Sequence, residues 1–115
     1  MSIRQDSDLL KDIIYSIEKI ESYCGELNYS EFLNDSKTQD AIIRNIEIIG
    51  EAVGRLSNEL KDSRPEIPWS NIRGTRNRLI HDYSGVNIDI LWNIVKDNLP
   101  DLYLKITKIT TNEEI

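Results

Sequence analysis

Residues 76–83, RNRLIHDY, bring two arginines, an asparagine, a tyrosine and the chain's single histidine into one short stretch. Histidine changes charge near neutral pH without special tuning. Arginine adds a planar, permanently charged fork that matches phosphate oxygens. Together they hold the parts for RNA cleavage without a metal. His81 would take the proton from a ribose 2′-OH, whose oxygen would attack the adjacent phosphorus, and Arg76 would stabilise the added negative charge. Dependence on the 2′-OH would exclude DNA as a substrate. The same stretch also reads as a charged helix end with one idle imidazole, and Arg-x4-His alone does not choose between the two.

Positioning these groups falls to a helix that should begin near Ser70, a suitable N-cap, and end around Asp82 or Tyr83 before SGVN. If that helix runs unbroken through residue 81, Asn77 and His81 share a face at i and i+4. Arg76 and His81, five apart, then sit about 140° apart around the axis and about 7.5 Å along it. One helix therefore does not stack them. The length of the arginine side chain, a loosened helix end or a second copy of the chain must bring them together. A two-fold axis beside this helix would let both copies of Arg76 and His81 line one cleft. At a helix C-terminus the dipole favours imidazolium and nearby arginines disfavour it, so the charge of His81 is open at this stage.

The rest of the chain sets limits. Its 115 residues fit one domain, 39% hydrophobic and 30% charged. No apolar run reaches membrane-span length, and MSIRQDSDLL has no signal-peptide core, so a cytoplasmic location is expected. One cysteine, Cys24, and one histidine cannot make a disulfide or a Cys/His zinc site; no metal is expected, and Cys24 reads as a small apolar filler. The net charge of −6 argues against a generally basic nucleic-acid surface. Yet four of the seven arginines lie between Arg64 and His81 with one acid, Glu66. That local patch suits a small anionic target such as one phosphodiester, or else is a solvated helix face.

Helical periodicity dominates. Leu10, Ile13, Ile17 and Ile20 mark a first helix over residues 2–24, broken by Gly25 and the polar stretch GELNYSEFLND. Ser36 should open the second, with Gln39 completing a capping box. Its stripe runs from Ile42 through Ile46, Ile49, Val53 and Leu56 to Leu60, and Gly50 and Gly54 beside it leave room for another helix to approach. Pro65 and Pro68 punctuate a loop over 62–69. Asn87 can cap a fourth helix with Ile90, Leu91, Ile94 and Val95, Pro100 should interrupt it, and a last helix with Leu102, Ile106 and Ile109 should run into a polar tail. The expected architecture is an all-α antiparallel bundle of four to five helices, one domain over 1–110 with a tail at 111–115.

Three blocks go beyond this chemistry: AIIRNIEIIGEAVGRLS (41–57), PEIPWSNIRGTRNRLIHDYSGV (65–86), and the tryptophan-bearing helix ending in DNLP. In that order and spacing the chain resembles the HEPN superfamily, and within it the HepT-like toxins of bacterial and archaeal toxin–antitoxin pairs. The HEPN pattern of arginine, polar residue and later histidine falls on Arg76, Asn77 and His81. The HepT-like extension to Arg-x4-His-x-Tyr places its tyrosine at Tyr83. The resemblance implies a helical domain that dimerises with its motifs facing across a cleft. It also implies metal-independent endoribonuclease activity, with Arg76 and His81 essential and Asn77 in support. Its usual partner is a small nucleotidyltransferase antitoxin of a type VII system, which uses ATP and Mg to transfer AMP to the motif tyrosine, here Tyr83. A bulky anion there would compete with RNA phosphate for the arginines.

Other residues carry smaller expectations. Arg73 and Arg78 could hold neighbouring RNA phosphates or only keep the helix soluble. Arg44, Glu47, Glu51 and Arg55 read as an ordinary polar face of the second helix. Trp69 and Trp92 read as core or interface anchors in preference to base-stacking platforms. The competing function is a non-catalytic accessory subunit of a nucleotidyltransferase that binds nucleotide or completes a complex.

Overall fold

The computed structural model describes residues 3–79 and 85–113, and every regular element among them is helical. Helix α1 (Ile3–Cys24) buries Leu10, Ile13, Ile17, Ile20 and Cys24. It stops where Gly25 takes φ +53°, a left-handed turn that closes helices and that side-chain-bearing residues avoid. The polar stretch that follows is not simply a loop. Asn28 and Glu31 form a capping box around α2 (Tyr29–Leu33), and Phe32 is fully buried from it against Trp92 at 5.1 Å between ring centres.

Helix α3 (Ser36–Arg55) begins where Ser36 suggested, but its cap is Asp35. The Asp35 carboxylate accepts from the Thr38 N–H at 3.0 Å and the Thr38 hydroxyl at 2.7 Å. Gln39 does not return to the cap; its amide donates to the carbonyls of Phe32 and Leu33 and ties down α2. The apolar stripe through Leu60 is not one helix either. Leu56 turns extended, and Ser57 caps a new helix, α4 (Asn58–Ser63). The cause lies 51 positions away: Asp6 of α1, buried, accepts from the Ser57 N–H at 2.9 Å and its hydroxyl at 2.5 Å. The Leu56 N–H still reaches the Ala52 carbonyl at 3.2 Å, and the bonds to Asp6 offset the helical bond that the Ser57 N–H no longer makes.

The expected helix over 70–83 is two short ones. Helix α5 (Trp69–Arg73) starts one residue early behind Pro68, and α6 (Thr75–Leu79) follows Gly74. Gly74 sits at φ −88°, ψ 1°, which rotates the next turn out of line. The Thr75 hydroxyl takes over the Asn71 carbonyl at 2.9 Å. Trp69 is a core anchor, its indole N–H bridging the carbonyls of Lys61 and Arg64, each at 3.1 Å, to close α4.

Asn87 caps α7 (Ile88–Asn93) through the Ile90 N–H at 3.1 Å. Pro100 does not break the chain there. A π-helical turn (Ile94–Asn98) leads straight into α8 (Leu99–Glu113), with the Leu99 N–H reaching back five residues to the Ile94 carbonyl. Proline supplies no N–H to residue i−4 and clashes with its carbonyl; widening the preceding turn relieves both without ending the helix. The helix also runs past the expected tail boundary, to Glu113. The result is an all-α bundle in which α1 packs along α3 and α8 around Ile13, Ile17, Ile42, Ile49, Val53 and Ile106. Each such side chain contributes about 1.5–3 kcal/mol on burial.

Candidate functional site

The geometry of α5 and α6 follows from one face of α3. Glu47, Gly50 and Gly54 lie at i, i+3 and i+7, a single stripe beside the apolar one. A Cβ on Gly50 would meet the Arg73 carbonyl oxygen at 3.3 Å, so backbone lies on backbone there. One on Gly54 would meet the Arg73 guanidinium at 3.1 Å from Nε and 3.3 Å from Cζ. The two glycines thus admit the approaching helix, as their spacing suggested, and Arg73 lies flat across the second.

Three residues later, Arg76 Nε donates to Glu47 Oε2 at 2.5 Å. Arg73 pairs with position 54 and Arg76 with position 47, so α5 and α6 run antiparallel to α3. Seven residues of α3 separate the two anchor points, about 10 Å. Arg73 and Arg76 therefore share one edge. The Arg76 side chain remains 51% exposed, and no described residue takes its terminal nitrogens, Nη1 or Nη2.

Arg78 faces elsewhere. Its Nη2 donates to the Thr75 hydroxyl at 3.2 Å, and with Thr75 and Asn71 it lines a cleft between α3 and α8. Asp101 and Lys105, paired at 2.9 Å, form the far wall. The two arginines given the same expectation are thus in different places, Arg73 of α5 against Gly54 and Arg78 of α6 at the α3–α8 cleft. Asn77 is exposed and makes no side-chain hydrogen bond to a described residue. His81 and Tyr83 lie outside the described residues. On either side of them the chain is anchored: Leu79 is fully buried, and its carbonyl accepts from the Asn87 N–H at 2.9 Å.

Glu47 is the functional candidate that sequence reasoning passed over. It looked like one charge among four on a polar face, yet it pairs across 29 positions with Arg76. A signal was present: Glu47 shares the stripe of Gly50 and Gly54, where a second helix had to lie. Trp92 packs against Phe32 and Tyr29, with the Lys96 ammonium 4.8 Å over its ring, and is an anchor for α2. Cys24 is buried, as a filler would be. Among the described residues no acid, histidine and cysteine cluster could hold a metal, and no helix is long and apolar enough to cross a membrane.

Chemically, the α3 edge offers the Arg76 guanidinium, whose terminal nitrogens no described residue takes, and a second guanidinium, Arg73, farther along the same edge, two groups suited to phosphate oxygens.

Comparison with known proteins gives the family of the chain. A family model described as ribonuclease HepT-like matches residues 13–109. A Thermococcus cleftensis protein named "Probable ribonuclease HepT" is 44% identical over 106 residues, covering 92% of this chain and 96% of its own. A Methanocaldococcus jannaschii protein that carries a ribonuclease name is 37% identical, over 91% of this chain and 87% of its own. One from Caldanaerobacter subterraneus, also named as a ribonuclease, is 32% identical over 92% and 91%. No solved structure matches.

Proposed function

The chain belongs to the HepT-like ribonuclease family, and on that premise we propose that it is a metal-independent endoribonuclease, the toxin of a type VII toxin–antitoxin pair. The observation that carries this reading is Arg76, held at Nε by Glu47 with its terminal nitrogens taken by no described residue. His81 accepts the proton of a ribose 2′-OH, and the freed oxygen attacks the adjacent phosphorus. The bond from phosphorus to the 5′-oxygen breaks, leaving a 2′,3′-cyclic phosphate on one product and, once the 5′-oxygen takes a proton from water, a 5′-OH on the other. Arg76 donates to the phosphoryl oxygens as their charge grows. Asn77, one residue on, supports the same phosphate, and Arg73 holds a neighbouring one along the α3 edge. Two copies of the chain face each other so that the motifs share a cleft, which removes the five-residue offset between Arg76 and His81.

Control comes from a nucleotidyltransferase antitoxin. It transfers AMP from ATP, with Mg in its own site, to the Tyr83 hydroxyl and releases pyrophosphate. The added phosphate then occupies the arginines in place of RNA.

Purified chain incubated with RNA in excess EDTA tests this. The expected products are 2′,3′-cyclic phosphates, with no cut in 2′-O-methyl RNA and none by His81→Ala. Cleavage of DNA or of the 2′-O-methyl substrate would sink the mechanism. Intact mass after co-expression with a neighbouring transferase should rise by whole AMP units, and Tyr83→Phe should abolish the rise.

A further inference from the structure

An exposed arginine ordinarily samples many rotamers, at about 2 kcal/mol of side-chain entropy to immobilise it. Arg76 does not begin from that state. Glu47 stands on a 20-residue helix locked into the core through Ile42, Ile46 and Ile49, so its backbone is a fixed point, and its side chain is only 32% exposed. It takes Nε, the inner nitrogen of the guanidinium. The group is planar, and Nε–H shares its side-on edge with one N–H of Nη2; holding Nε at Glu47 leaves the end-on edge, one N–H each from Nη1 and Nη2, turned away from the carboxylate.

Glu47 also changes the electrostatics. Its charge partly cancels that of Arg76, which weakens attraction for a resting phosphodiester. The fork's directed hydrogen bonds are kept for the more highly charged transition state. A role in merely pinning α6 to α3 is already filled: Leu79 is fully buried, Trp69 closes α4, and the Gly50 contact is backbone on backbone. A half-exposed pair adds about 0–1 kcal/mol to that.

We propose that Glu47 is a positioning residue for RNA cleavage: through Nε it holds Arg76 so that both terminal nitrogens face the scissile phosphate. This rests on the ribonuclease reading above.

The test compares single-turnover cleavage at saturating protein with binding of a 2′-O-methyl RNA of the same sequence. Wild type, Arg76→Ala, Arg76→Lys, Glu47→Ala and Glu47→Gln are measured, together with Glu47→Ala in the Arg76→Lys background. Glu47→Ala should slow cleavage about 10- to 100-fold, while 2′-O-methyl RNA binds as tightly as to wild type or tighter. Glu47→Gln, whose amide oxygen can still accept from Nε, should recover much of the rate. In the Arg76→Lys background, where no Nε fork exists, Glu47→Ala should change the rate by less than about twofold.

Wild-type cleavage by Glu47→Ala overturns the inference. So does a loss of equal size in the Arg76→Lys background, or one that tracks weaker RNA binding. A wild type that leaves RNA intact, or an Arg76→Ala variant as active as wild type, instead overturns the ribonuclease reading, and the role of Glu47 with it.

Discussion

Helix α3 presents two faces built on opposite rules. Along one, Ile42, Ile46, Ile49 and Val53 are buried in the core that α3 forms with α1, and the contact is apolar. Along the other, Glu47, Gly50 and Gly54 receive α5 and α6, with a carboxylate and bare backbone where side chains would otherwise be. Both faces hold helices in place. The first does so with volume, so its residues are interchangeable with others of similar shape. The second removes volume to bring a backbone close and to lay two guanidinium groups along an edge. Substitutions of side chains on the first face should therefore appear in stability, and of the Glu47–Arg76 pair on the second in activity.

The strongest separation comes from pairing one substitution on each side. Arg76→Ala should reduce RNA cleavage about 10²–10³-fold, with Tm moved by about 5 °C or less. Ile106→Ala, in the closed core, should lower unfolding free energy by about 2–5 kcal/mol in a denaturant titration. The cleavage rate per folded molecule should hold. If core truncation instead abolished cleavage in molecules that remain folded, the two faces would not be separable.

The glycines sharpen the contrast within the second face. Alanine in a helix is favoured over glycine by about 1 kcal/mol. At Gly54 the new methyl meets a flexible arginine side chain that can swing aside, so Gly54→Ala should keep most of that gain. At Gly50 it meets the Arg73 carbonyl at 3.3 Å, and backbone cannot swing. Gly50→Ala should be the less stable of the two by about 1 kcal/mol. Equal unfolding midpoints would show that α5 is not closely seated on α3.

The smallest effect concerns acid. Hydrogen bonds from the Thr38 hydroxyl and N–H hold the Asp35 carboxyl below its ordinary value, with Lys37 adding to this. The ionised form is thus favoured by folding. Its contribution is present above the carboxyl's unfolded pKa, about 3.9, and is lost as pH falls through the lower folded value. Wild type should be slightly more stable than Asp35→Ala near neutrality, and the difference should vanish in acid. An offset independent of pH would contradict the cap.

Much of the first face was legible beforehand, because buried isoleucines at helical spacing announce themselves locally. Asn87 was legible for the same reason: its cap bond closes within three residues. What local pattern could not show was settled by partners distant in sequence. Asp6 decides where α3 ends, and Trp92 is what makes a helix worth forming around Phe32. Gly74 and Pro100 have local causes, but the expectation of a continuous helix at the one and a stop at the other was wrong. The glycine bends the chain through an unusual ψ, and the proline is absorbed by a π turn. For the proposed site, Arg76, Asn77, His81 and Tyr83 were all read from the motif, and the last two lie outside the described residues. Glu47 was not, since its partner lies 29 positions on and its neighbours on α3 offered plausible local pairing.

One measurement reaches the central claim that RNA is cut at the α3–α6 edge and not by the fold at large. A single-stranded RNA is incubated in excess EDTA with wild type, Arg76→Ala and the conservative core variant Ile106→Val, each corrected for its folded fraction. Wild type and Ile106→Val should cleave at the same rate and Arg76→Ala about 10²–10³-fold more slowly. Equal rates in all three, or no cleavage by wild type, would contradict it.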